Sequence, residues 1–150
     1  MDVQGRSDWI IVRQDMISQF GDLTLDMEPL HTDPEWCRTN SPYAVPIAYG
    51  FLTLSLLTHF LHDATRDAFK GTHLADGYPI NYGFDKVRFV EPVRVGDAIR
   101  ASFESRSAVD RSEGRTLLTV GATVEIRDRS KPALTADWLF MWVPAQSVGC

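Results

Sequence analysis

A proline-punctuated segment, Asp26-Met27-Glu28-Pro29-Leu30-His31-Thr32-Asp33-Pro34, holds three carboxylates and one histidine. Histidine titrates near neutrality and is the ordinary general acid or base, and a neighbouring carboxylate can hold its tautomer and steady its protonated form. Two groups with separated proton affinities can also divide acid and base roles. The competing reading is local: Asp26 and Asp33 cap turns or helices, as Asp before Pro commonly does. Residue types alone leave both readings open, because such clusters are common on surfaces.

A second feature lies at Ile47-Ala48-Tyr49-Gly50-Phe51, where an apolar helix is expected to begin. First-turn amides of a helix have no intrahelical acceptor, and the helix dipole draws negative charge to that end. A glycine there lets a substrate oxygen approach the backbone, although it also serves simple helix–strand packing. Further candidates are weaker. His59, His62 and Asp63 share a helical face, which reads better as a solvated surface than as a metal site. His73 falls in a polar surface loop, and Thr58 suits packing or a bond to its own helix. Lys86 and Arg88 share one side of a strand, as phosphate contacts or as ordinary surface charge, and Asn81 lies near a turn.

The elements that must position these residues follow from periodicity. Trp9–Val12 is β-rich, and Gln14–Phe20 has helical spacing that Gly21 is expected to stop. Residues 22–44 show no sustained period and read as a long loop, uncommon in a compact domain unless functional. Pro46 suits the first turn of a helix running to about Asp67. Its first part (Ile47, Phe51, Leu52, Leu54, Leu56, Leu57) is apolar on every side, which predicts burial. Strands follow at 84–90, 98–109, 116–127 and 134–143, the later ones alternating apolar and polar residues. Period two with one wet face means antiparallel strands covering a core, and short turns favour a meander. The economical architecture is α+β: a curved antiparallel sheet wrapped around a long central helix, the hot-dog fold. Its open edges would suit a homodimer.

Composition bounds the rest. The chain has 150 residues, 15 Lys plus Arg and 20 Asp plus Glu, a formal charge of −5. That is room for one domain, with a core at about 8–143 between short tails, and it lacks the positive field that nucleic acid requires. Cys37 and Cys150 form no CxxC pair, arguing against structural zinc and for a reducing compartment. No secretory signal is visible, and Pro42–Leu57 is too short and interrupted to span a membrane. A cytoplasmic protein without nucleic-acid or membrane partners is expected.

The order Asp26-Met27-Glu28-Pro29-Leu30-His31, Asp33-Pro34, Ala48-Tyr49-Gly50 resembles the MaoC-like (R)-specific enoyl-CoA hydratase family. That family's signature is Asp-x-Asn-Pro-x-His followed by an Ala/Val-His-Gly turn. Ile80-Asn81-Tyr82-Gly83-Phe84-Asp85-Lys86-Val87-Arg88-Phe89, with Pro92-Val93 and Val95-Gly96-Asp97, is similar to its NodN-like branch, and the likeness covers roughly 8–143. The resemblance implies that Asp26 and His31 are a catalytic dyad handling water, and that the Gly50 N–H receives the thioester oxygen. A preorganised donor of that kind typically contributes about 2.7–4 kcal/mol of transition-state stabilisation. Two departures stand out: Glu28 replaces the usual Asn and adds negative charge, and Tyr49 replaces the usual His, offering a phenol donor.

The reaction so implied is reversible addition of water to a trans-2-enoyl thioester, giving an (R)-3-hydroxyacyl thioester. The carrier would be coenzyme A or an acyl-carrier protein, with no metal and no resident cofactor. Tyr49, Asn81, Glu28, Arg88 and Lys86 are the expected substrate-side residues. Two alternatives remain: a hot-dog thioesterase, and a non-catalytic subunit that binds acyl thioesters.

Overall fold

A computed structural model describes residues 3–66 and 77–145. In chain order the elements are β1 (Gln4–Arg6), β2 (Ile10–Ile11), α1 (Gln14–Thr24), α2 (Pro29–Thr32) and α3 (Pro34–Asn40). Then come α4 (Gly50–Ser55), α5 (Leu57–Ala64), β3 (Gly77–Phe89), β4 (Ala98–Asp110), β5 (Thr116–Ile126) and β6 (Leu134–Pro144). His73 and the expected helix end at Asp67 lie outside the described residues.

The strands form one antiparallel sheet in the order β1-β4-β5-β6-β3, with β2 also pairing β4. Alternation sets its inner face: Val120, Ala122 and Val124 of β5 oppose Trp138, Ala136 and Leu134 of β6. These side chains are buried with Leu52, Leu57, Phe60 and Leu61 of the helix. Full burial of such a side chain contributes about 1.5–3 kcal/mol, so the helix–sheet contact dominates the core. This is the hot-dog arrangement that the periodicity predicts.

Several local expectations need correction. The meander holds only for β4-β5-β6, whereas β3 crosses to the far side of β6. Residues 93–95 carry that crossing past the helix start: Ala48 N–H donates to Val93 O at 2.7 Å, and Val95 N–H to Pro46 O at 2.9 Å. Those bonds keep 46–48 extended, so the helix begins at Gly50 rather than Pro46, and it is divided at Leu56. Nor is its first turn buried all round, since Phe51 is 68% exposed, with its ring edge-on to Phe89 of β3.

Gly21 does not stop α1, which continues to Thr24 and ends where Leu25 takes a left-handed conformation (φ 61°). The expected long loop contains two short helices, each with proline at its start. Proline is tolerated there because its missing N–H would have no partner anyway. Asp33 caps α3 by accepting the Trp36 N–H at 2.9 Å, as its local reading anticipates. Cys37 of α3 is buried, and its thiol donates towards Pro29 O and Leu30 O, packing α3 beneath α2.

Candidate functional site

The single turn of α2 presents His31 to the segment that leads into α4. Ile47 N–H donates to Leu30 O at 3.2 Å, joining the two pieces of backbone. His31 Nδ1 then lies 2.7 Å from Ile47 O. A carbonyl can only accept, so Nδ1 carries the proton, and in the neutral ring Nε2 is left with the lone pair. From the other side, Gln14 Nε2 donates to the His31 carbonyl at 2.8 Å. The imidazole also lies against the Tyr49 ring, with centroids 3.9 Å apart.

Gly50 is the first residue of α4, so its N–H is among those without an intrahelical acceptor. The absence of a side chain has a steric cause: a Cβ there would approach the Phe89 ring to 2.9 Å. His31 and Gly50 both line one cavity of about 430 Å³, walled mainly by Ile47, Phe51, Phe89 and Val90. Glu91 reaches the same cavity and is 3.8 Å from Arg129. Tyr43 lines it too, with the Arg94 guanidinium 5.9 Å from the Tyr43 ring centroid.

The remaining expected site residues fall elsewhere. Asp26 is exposed, is not part of the cavity wall, and accepts the Glu28 N–H on Oδ1 at 3.3 Å. Glu28 itself is exposed at the start of α2. Tyr49 is 4% exposed and donates its hydroxyl proton to Asp26 O, so it lies beneath the cavity rather than in its wall. Burial first, then the charges of Asp26, Asp22 and Glu28, raises the Tyr49 phenol above its ordinary 10.0. Asn81 accepts the Trp138 indole N–H at 2.8 Å, and Lys86 pairs with the buried Asp137 at 2.9 Å. Arg88 donates to the neighbouring Val87 O at 2.7 Å. None of these three lines the cavity that holds His31 and Gly50.

His59 and Asp63 behave as surface groups: His59 is exposed, and Asp63 Oδ2 accepts the Asp8 N–H at 2.5 Å. Thr58 is exposed too. Two residues that shape the cavity carried no signal in the sequence, Ile47 and Phe89. Ile47 acts through its carbonyl, which carries no side-chain signal. Phe89 was legible as a strand residue, but nothing in its spacing said that its ring would meet Gly50.

Comparison with known proteins places the family and the fold. A family described as "MaoC like domain" matches residues 2–126. Nodulation protein N of Rhizobium meliloti (strain 1021) is 38% identical over 135 residues, covering 90% of this chain and 81% of that protein. 3-Hydroxyacyl-thioester dehydratase Z of Mycobacterium tuberculosis (strain ATCC 25618 / H37Rv) is 38% identical over 139 residues, covering 93% and 87%. Among solved structures, the MaoC-like dehydratase from Rhodospirillum rubrum superposes with a TM-score of 0.75 at 18% identity, covering 96% and 92%. The (R)-hydratase from A. caviae involved in PHA biosynthesis gives 0.72 at 23%, covering 93% and 96%. At those identities the structural likeness is one of fold.

Proposed function

The chain belongs to the MaoC-like domain family, and from that premise we propose that it is a hydro-lyase acting on acyl thioesters. The reaction is reversible addition of water to a trans-2-enoyl thioester to give an (R)-3-hydroxyacyl thioester. One observation carries the reading: a histidine with its Nε2 lone pair available shares one mostly apolar cavity with the helix-initial glycine.

In this scheme Nε2 of His31 takes a proton from water while the water oxygen bonds to C3 of the enoyl chain. The π electrons move towards the thioester oxygen, which the Gly50 N–H receives as it gains charge. A proton then returns to C2, leaving a saturated 3-hydroxyacyl thioester. Asp26 is the second member of the proposed dyad; its carboxylate lies outside the cavity wall here, so it must turn inward to act on the same water. The apolar wall takes the acyl chain, the thioester carrier is coenzyme A or an acyl-carrier protein, and no resident cofactor takes part.

The test is loss of the conjugated enoyl absorbance with crotonyl-CoA and longer enoyl-CoA substrates, with stereochemical analysis of the product. His31→Ala and Asp26→Asn are each expected to lower turnover by about 10²–10⁴ while the protein stays folded. Full turnover in Asp26→Asn would remove Asp26 from the scheme, and full turnover in His31→Ala would end it. The exposure of Asp26 outside the cavity wall favours one second reading, a subunit that binds acyl thioesters without turnover. Tight acyl-CoA binding with neither hydration nor thiol release would select that reading.

A further inference from the structure

Tyr49 adjoins Asp26, His31 and Gly50 without lining the cavity. Its hydroxyl donates to Asp26 O, its ring packs on His31, and its own peptide leads directly into Gly50. Phe20 covers another side, with ring centroids 5.4 Å apart.

Gly21 makes room for this arrangement. A Cβ on Gly21 would collide with the Tyr49 hydroxyl and come within 2.8 Å of Asp26 O. The Gly21 carbonyl in turn accepts the Asp26 N–H at 3.0 Å. The Asp26 residue is therefore clamped at both ends, by Gly21 at its N–H and by Tyr49 at its carbonyl. The clamp follows directly on Leu25, which is 88% exposed and left-handed, a conformation that L residues with large side chains seldom keep without help.

We propose that Tyr49 is a positioning residue, which with Gly21 fixes the placement of Asp26 and His31 relative to the Gly50 amide. The proposal rests on the hydro-lyase reading for its kinetic consequence. The clamp itself has a consequence that does not depend on turnover. The ring packs against the imidazole, and the hydroxyl holds the Asp26 carbonyl. Tyr49→Phe separates the two, because it keeps the ring and removes only the hydroxyl.

The experiment compares wild type, Tyr49→Phe, Gly21→Ala and the double variant, well below their melting temperatures. Tyr49→Phe is expected to lower kcat by about tenfold to a hundredfold, since small misplacements of reacting groups have effects of that size. KM should stay within about twofold, because the hydroxyl does not face substrate. Exchange of the Asp26 amide hydrogen should accelerate by about tenfold, reporting a loosened segment. Gly21→Ala should show both effects, and adding Tyr49→Phe to it should not worsen them, since the hydroxyl bond that Tyr49→Phe removes is already displaced.

Wild-type kcat in Tyr49→Phe, or an unchanged Asp26 exchange rate, would overturn the proposal. A wild-type protein inactive on every enoyl thioester would instead sink the hydro-lyase reading. In that event faster Asp26 exchange in Tyr49→Phe would still uphold the clamp, and unchanged exchange would dismiss it.

Discussion

His31 Nδ1 and the carbonyl oxygen of Ile47 are 2.7 Å apart, and that one contact decides which imidazole nitrogen is available for chemistry. Ile47 stands at the mouth of α4, held extended by the chain crossing beside it, so the contact is set by the path of the backbone.

The neutral imidazole of His31 should accordingly be the Nδ1–H tautomer. Nitrogen-15 chemical shifts of selectively labelled histidine would read this directly: Nδ1 should resonate as a protonated ring nitrogen and Nε2 as an unprotonated one. The opposite pattern would mean that His31 does not bond Ile47, and it would remove Nε2 as the base.

Gly50→Ala places a methyl group 2.9 Å from the Phe89 ring, in a contact too close to keep. Overpacking of this kind typically costs about 1–3 kcal/mol, and the displaced ring should also block the cavity. Combining Gly50→Ala with Phe89→Leu should restore much of the stability. Denaturant unfolding of the single and double variants measures it, and strict additivity would refute the proposed collision.

Tyr49 carries a pH prediction. Burial raises its phenol above 10.0, so folded and unfolded states both hold the proton below that pH and the group then contributes no destabilisation. Above it the unfolded chain ionises first, and stability falls until the folded phenol ionises too. Unfolding midpoints followed from about pH 9 upwards should therefore drop more steeply in wild type than in Tyr49→Phe. Parallel curves would mean that the phenol is not held neutral by its surroundings.

β3 ends the sheet with a long edge, and Tyr78, Ile80 and Tyr82 along it are exposed. The opposite edge, β1, has only three residues. Long apolar edges are normally paired or covered, so a second copy of the chain is expected there. Sedimentation should show a dimer, and Ile80→Lys should weaken it. A monomer at micromolar concentration would exclude this use of the edge.

Much of the sheet was legible in advance. Alternation along 98–109, 116–127 and 134–143 is a direct record of one buried and one wet face, and it located β4, β5 and β6 within a residue or two. The short helices α2 and α3 were not legible, because one or two turns leave too little periodicity to separate from a loop. Their proline starts and the Asp33 cap were visible only as isolated local signals.

The site divides in the same way. Asp26, His31 and Gly50 stood out as residue types in a recognisable order. Their relation did not: His31 and Gly50 line one cavity while Asp26 faces solvent. Nor did the sequence explain Gly21, which looked like a helix stop and is a space left for the Tyr49 hydroxyl.

The sequence by itself determined the faces that β4, β5 and β6 bury and the family, and it marked the candidate site residues, because these depend on residue type and near-neighbour spacing. Only the tertiary structure decided that β3 would lie beyond β6, that Ile47 would orient His31, and that Tyr49 would reach Asp26. Each is a contact between distant parts of the chain, made when the helix packs into the curve of the sheet. Close packing, not local preference, selects such partners.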